Sequence, residues 1–360
     1  MDIEQFIHGY TSQGEAIISY VLTNESGAYV KLSNIGANIV GIGVPDKDGV
    51  IKDVVAGYKD INRYFNDPPY FGKSVGQFAN RICRGRFSLN GKDYQLAINN
   101  GANHLHGGPK SMSVQAWVCR VEDDDEAISF AYFSPDGEEN YPGNVQVTVT
   151  YRWTDANELI VDLRAATDRD TIINLTNHSY FNLAGEGSGL VYDHILKVNA
   201  QSYLPVDETS IPLGAPQPVA GTPFDFRKPK AIGQEIDADN EQLRIGHGYD
   251  HCWCLNGWDS PACLAGKAAP LRIAAVLTDP ASGRTLTLKT TQPGLQVYTG
   301  NWLEGNGEDK NGQPHHNRYA VALECQNFPD APNHADYPGC VLSPGKPYHR
   351  KMVYRFSVKK

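Results

Sequence analysis

The sequence predicts an all-β protein, a large antiparallel β-sandwich with few short helices. Three observations predict it. Residues 145–154, "VQVTVTYRWT", alternate Val145, Val147, Val149, Tyr151 and Trp153 against polar neighbours, the two-residue period of a strand with one buried face. Short β-branched runs of the same kind recur from end to end, each bounded by Gly, Asn, Asp or Pro. Helical periodicity is scarce, so the crossover helices that a parallel α/β sheet requires are missing.

In chain order, strands are expected at "AIISYVLT" (16–23), "YVKLSN" (29–34) and "NIVGIGV" (38–44). "DINRYFND" (60–67) holds a few helical turns at most and reads as a loop excursion. "GRFSLNGKDYQLA" (85–97) is a hairpin, because Asn90-Gly91 supplies the two positive φ angles of a type I′ turn. Further strands follow at "AISFAYF" (127–133), the 145–154 run and "LIVDLRA" (159–165). After a second short helical excursion, "EIDADNEQLR" (235–244), come "LRIAAVLT" (271–278), "RTLTLKTT" (284–291), "LQVYTG" (295–300), "VALECQ" (321–326) and "KMVYRFSV" (351–358). No linker, repeat or low-complexity tract interrupts the rhythm, so residues 1–360 read as a single domain.

The 32 basic against 41 acidic residues give a net charge of −9, with no Lys/Arg cluster interleaved with aromatics. Nucleic acid and anionic membrane surfaces are therefore not expected partners; a neutral polar ligand fits better. The N-terminal "MDIEQFIHGY" has neither a basic n-region nor an apolar h-region, and the chain reads as cytoplasmic. Seven irregularly spaced cysteines do not form a disulfide framework and read as reduced thiols. The sequons at Asn24, Asn174 and Asn177 would matter only in a secretory compartment, where a glycan on Asn177 would crowd His178.

Polar segments break the alternation at "QFANRI" (77–82), "NHLHGG" (103–108), "TNHSYFN" (176–182) and "GYDHCW" (248–253), and "ALECQNFPDAPNH" (322–334) sets Glu324 inside an apolar strand. Polar groups inside strands are costly unless they bond to one another or to a ligand. Flanked by Ala320, Val321, Ala322 and Leu323, Glu324 is either a desolvated general base or a carboxylate on the solvent face of an edge strand. His178 is either a buried neutral histidine with both nitrogens bonded to Asn or Ser, or a proton donor that forms an acid/base couple with such a base. His104 and His106, Cys252 and Cys254, and His315 and His316 are spaced as strand or neighbour pairs, but no further ligand falls at a zinc-motif spacing, so no metal is expected. Asn80-Arg81 is a surface pair or a fork of donors facing a cleft. Aromatics beside these segments, Tyr180, Tyr249, Tyr298 and Trp302 among them, are the composition of a monosaccharide cleft.

Eight ordered motifs carry a resemblance: "GQFANRI", "AINNGANHLHGG", "NLTNHSYFNLAG", "LPVDETSIPLG", "GTPFDFR", "GYDHCW", "QPGLQVYTGNWL" and "ALECQNFPDAPNH". From about residue 10 to the C-terminus the chain resembles the galactose mutarotase (aldose 1-epimerase) family. The resemblance implies a galactose mutarotase-like supersandwich, one aldose 1-epimerase domain, that interconverts the α and β anomers of free aldoses without cofactor or metal. Its partner would be a small aldose, and the chain a monomer or weak homodimer. Carried over by position, Glu324 takes the place of the catalytic base and His178 that of the acid, while Asn80, Arg81, His106, Asp250 and Gln296 match sugar-contacting positions. The chain departs from the family at Gln77, Phe78, Trp253 and Cys325, and the first three are expected to bear on which sugar fits.

Mutarotation needs a proton removed from the anomeric O1 and one given to the ring oxygen O5, so that the ring opens, rotates and recloses. The expected roles are Glu324 as base and His178, as imidazolium, as acid. Two other classes compete. A glycoside hydrolase would use Glu324 and Asp250 as paired carboxylates, and a non-catalytic sugar-binding protein would keep the fold alone. A hexose-6-phosphate epimerase would need an Arg/Lys cluster that the matched segments lack.

Overall fold

The computed structural model describes residues 1–122 and 126–359. Every run marked by alternation forms a strand, and Val145–Trp153 buries Val145, Val147, Val149, Tyr151 and Trp153 as its pattern requires. Three antiparallel sheets make up most of the protein. The first is a five-stranded meander from Asp2–Tyr10 through Ala16–Thr23, Tyr29–Ser33 and Asn38–Pro45 to Ile51–Asp53. The second has nine strands, with Val145–Trp153, Glu158–Thr167, Tyr348–Val358 and Arg284–Thr290 adjacent at its centre.

The third has six strands, in the order Tyr180–Phe181, Val321–Gln326, Gly294–Tyr298, Asp250–Leu255, Ala200–Leu204 and Gln217–Pro218. One hydrophobic core joins all three sheets: Leu32 and Ile42 from the first, Val149 and Leu163 from the second, and Trp253, Leu295 and Leu323 from the third. Two inner faces packed on a shared core are what makes a sandwich.

The helical excursions are short. A 3₁₀ turn at Ile61–Phe65 is capped by Asp60, and an α-helix at Glu241–Gly246 is capped by Asn240, whose side chain accepts from the backbone of Gln242 and Leu243. Asn90 and Gly91, with φ of 52° and 75°, join Arg86–Leu89 to Lys92–Gln95 as the hairpin rule requires. Two of the strands that escaped the alternation rule show why. Asp2–Tyr10 is an almost wholly exposed edge strand, so no buried face imprints a period on it. Asp250–Leu255 looked like a polar break, yet all but Asp250 in it are buried, because this strand packs on both faces.

Candidate active site

The six-stranded sheet builds the floor of the site by register. Leu295, Val297, Val321, Leu323 and Cys325 point into the shared core. The alternate residues therefore share the opposite face: Gln296 pairs with Glu324 and Cys252, and Tyr298 pairs with Asp250 and Ala322. Glu324 is 2% exposed on a strand paired on both sides, which rules out the solvent-face, edge-strand reading.

His178 lies where the chain passes from Thr176–Asn177, paired with Ser74–Val75, to Tyr180–Phe181, paired with Val321–Gln326. Its backbone is pinned on both sides: its N–H donates to Lys73 O at 2.8 Å and its carbonyl accepts from Gly72 N at 3.1 Å. Asn177 and Ser179 satisfy each other and the Gly72 carbonyl, not the ring. Nδ1 has no partner, so the fully bonded buried histidine is ruled out. Nε2 lies 3.4 Å from Glu324 Oε2, a contact that is not a hydrogen bond. Aromatic packing orients the ring instead, with Tyr70 stacked at 6.0 Å, Tyr180 at 5.0 Å and His106 edge-on at 5.2 Å between centroids. Tyr70 carried no signal in the sequence; it reaches the site because φ of 60° turns the end of the Pro68-Pro69 segment inward.

Asn80 and His106 hold each other. Asn80 N–H donates to His106 Nδ1 at 3.1 Å, His106 N–H donates to Asn80 O at 3.2 Å, and both residues adopt left-handed backbone, with φ of 65° and 53°. Gly107 makes this possible: at φ 81° a Cβ there would meet Gly76 O at 2.0 Å. Arg81 is steadied by Asn100, whose Oδ1 accepts from Nε at 3.0 Å.

Gln296 donates through Nε2 to Asp250 Oδ1 at 2.7 Å and so positions that carboxylate, while its Oε1, on the same sheet face as Glu324, has no partner within the protein. Among the family departures, Gln77 donates to Thr171 and the Ile172 carbonyl, Phe78 sits in a second core, Trp253 donates to Phe224 O, and Cys325 faces the main core. None lines the cleft, so any bearing of Gln77, Phe78 and Trp253 on which sugar fits acts through packing behind it.

Burial sets the charge states. It raises the Glu324 carboxyl well above its usual range, with the Asp250 charge adding and Arg81 opposing. It lowers His178 to about 4 and His106 well below its usual value, the latter helped by the charges of His178 and Arg81. Asp250 is raised by burial and pulled back by Arg81 and the Gln296 hydrogen bond. Both shifts favour a neutral imidazole beside a protonated carboxyl in the free site.

The histidine, cysteine and His315-His316 pairs fall apart as ligand sets. His104 is bonded at both nitrogens, to Ala97 O and Tyr141 OH at 2.7 Å each, and faces away from His106. Cys252 and Cys254 are packed in the second core, and His315 among Tyr58, Phe71 and Tyr319 while His316 is exposed. One other set does converge: ligand atoms of His106, His178 and Glu324 lie within 4.8 Å of one another. The donor set argues against a metal there. His106 Nδ1 accepts a backbone N–H, so the neutral ring carries its proton on Nε2, and a metal at Nε2 would force two N–H groups against each other.

Together these side chains line a cleft of about 540 Å³, within the range of small-molecule sites, with Glu324 and His178 buried at its floor and Trp302 and Asn306 toward its mouth. The aldose 1-epimerase family model matches residues 19–355. Galactose mutarotase of Sus scrofa is 40% identical over 358 residues, covering 99% of each chain, and aldose 1-epimerase of Escherichia coli K12 is 36% identical over 337 residues, covering 93% and 94%. The crystal structure of galactose 1-epimerase from Lactobacillus acidophilus superposes with a TM-score of 0.85 at 30% identity, over 100% and 99% of the two chains. The chain is a member of the aldose 1-epimerase family.

Proposed function

We propose that this protein interconverts the α and β anomers of free hexoses such as galactose and glucose, with Glu324 and His178 exchanging the protons. The observation that carries the reading is the contact between them: a carboxyl and an imidazole 3.4 Å apart, both buried, neither committed to a hydrogen bond within the protein. Such groups are left for a ligand.

Burial favours one proton on the pair, on Glu324. Ring opening starts from the other arrangement, a carboxylate that takes the O1 proton and an imidazolium that gives one to O5. It ends with protonated Glu324, neutral His178 and an open-chain aldehyde. The arrangement favoured by the dry site therefore accompanies the open-chain sugar, and the closed-ring complex opens after one proton passes from Glu324 to His178. Rotation about C1–C2 and reclosure return both protons, leaving the pair as it began. His106, through its Nε2–H, and Arg81 donate to the ring oxygen or its neighbours as charge develops. Asp250, held by Gln296, accepts from sugar hydroxyls and fixes the ring.

We infer further that residues 1–360 act as one domain, since the three sheets share a core. Seven unpaired cysteines, and sequons at Asn24, Asn174 and Asn177 that are all buried, support a cytoplasmic setting, because a glycan could not be accommodated on any of them.

The test is polarimetry of freshly dissolved α-D-galactose and α-D-glucose. Glu324→Gln and His178→Asn are each expected to lower the catalysed rate at least about a hundredfold with the fold intact. A wild type that does not accelerate relaxation leaves only sugar binding. Cleavage of a chromogenic glycoside would move the site to hydrolysis by Glu324 and Asp250.

A further inference from the structure

Lys73 is a buried amine that the proton exchange leaves unused. Its ammonium donates to Tyr64 O and, at 2.9 Å, to Ser113 O. Burial works against the charge, and Asp67 supports it. An ammonium is costly to bury, and this one ties the 3₁₀ turn at Ile61–Phe65 and the 3₁₀ turn at Met112–Val114, which follows the His106 loop, to the segment 67–73. What the tie secures is that segment. Tyr70 sits in it with left-handed φ of 60°, its N–H donating to Asp67 O at 3.0 Å and its carbonyl accepting from Lys73 N–H at 3.2 Å. Asp67 Oδ1 accepts from Tyr58 OH at 3.0 Å, and Tyr180 OH donates to Pro69 O at 2.9 Å. A non-glycine residue held in a strained conformation by so many bonds points to a role for its side chain. That side chain lines the cleft, stacked on the His178 ring with 26° between planes and 6.0 Å between centroids.

We propose that Tyr70 is a positioning residue for the proton exchange, its ring face holding the His178 imidazolium during ring opening, and that buried Lys73 acts through Tyr70 by fixing its turn. The proposal rests on the reading of Glu324 and His178 as the exchanging pair. Ring opening needs the imidazolium, which burial opposes. An aromatic face within about 6 Å attracts a cation, so Tyr70 offsets part of that cost as long as its ring stays stacked on His178. The attraction strengthens when His178 takes its proton, after the sugar has bound. Its loss therefore falls on kcat more than on KM.

The experiment is galactose mutarotation by the full chain carrying Tyr70→Leu, Tyr70→Phe, Lys73→Met, or Lys73→Met together with Tyr70→Leu. Lys73→Gln, which keeps a donor, replaces Lys73→Met if the latter does not fold. Tyr70→Leu is expected to lower kcat about tenfold with KM within about twofold of wild type, and Tyr70→Phe, which restores a ring face, to recover most of that loss. Lys73→Met is expected to lower kcat about fivefold alone but less than about twofold in the Tyr70→Leu background, since the ring it positions is gone. Wild-type kcat in Tyr70→Leu, or a Tyr70→Phe no faster than Tyr70→Leu, overturns the role of the ring face. Equal losses from the Lys73 substitution in both backgrounds overturn its action through Tyr70. No acceleration of galactose by the wild type overturns the underlying reading instead.

Discussion

Glu324 and His178 illustrate how one physical term, desolvation, sets both the reactivity and the cost of this site. The raised Glu324 carboxyl makes the folded protein bind a proton that the unfolded chain releases at lower pH, so stability falls as pH rises from the ordinary carboxyl range toward the raised value. Glu324→Gln removes that titration while keeping the shape. Its melting temperature is expected to match wild type near pH 4 and to exceed it increasingly toward pH 8, with a gain on the order of 1–3 kcal/mol, as activity is lost. A constant difference across that range in thermal melts would contradict the assignment of a raised Glu324. At this scale the sequence brought Glu324 and His178 forward as a candidate pair, and the fold sets the direction in which each one's proton affinity shifts. Flanking apolar residues foretold a desolvated Glu324, whereas the neutral state and unpartnered Nδ1 of His178 depend on Tyr70, Tyr180 and His106 closing around the ring.

Between residue and molecule, the devices that matter are a strand that sorts its side chains to two faces and a loop that breaks strand geometry. Alternation in Val321–Gln326 puts Leu323 and Cys325 in the core and Glu324 on the cleft side. The "HLHGG" loop does the opposite. His104 and His106 were expected on one strand face, but Leu105 ends the strand and the left-handed conformations of His106, Gly107 and Gly108 turn His106 into the cleft. Gly107→Ala forces a Cβ against the Gly76 carbonyl in a backbone region that L-residues resist, at a cost of about 1–2 kcal/mol. Because relief of that clash displaces His106, kcat/KM is expected to fall about tenfold along with the melting temperature. Melting and polarimetry on one preparation check both, and a stability loss with full activity would separate the loop from the chemistry.

Across the whole molecule the cleft depends on the sheets staying in register with one another. Arg284, only 1% exposed, spans them: from the nine-stranded sheet it donates to Val44 O at 3.0 Å, Leu183 O at 3.1 Å and Val50 O at 2.7 Å, with Asp46 3.5 Å away. Val44 and Val50 flank the turn that ends the five-stranded meander, and Leu183 follows the strand that carries Tyr180. Arg284→Met fills the space but removes a donor from each of the three carbonyls, leaving Leu183 O with Ser282 Oγ and Val50 O with Asp46 N–H, and takes the buried guanidinium from Asp46. A loss of about 3–5 kcal/mol is expected in urea unfolding. A change below about 1 kcal/mol would mean that the apolar core alone holds the sheets together.

The sequence by itself determined the strands with one buried face, the Asn90-Gly91 hairpin and the capped turns, because these signals are local: period, turn chemistry and residue type; Glu324, His178, Asn80, Arg81, His106 and Asp250 came forward as site candidates through ordered motifs that resemble a family. It did not reveal Asp2–Tyr10, which buries too little to carry a period, nor Asp250–Leu255, whose two packed faces erase one. Tertiary structure alone decided that Gln296 donates to Asp250, that Gln77, Phe78 and Trp253 pack behind the cleft, that Tyr70 lines it, and which way burial shifts Glu324 and His178. The physical reason is that burial and charge are sums over neighbours far apart in the chain, and only folding brings those neighbours together.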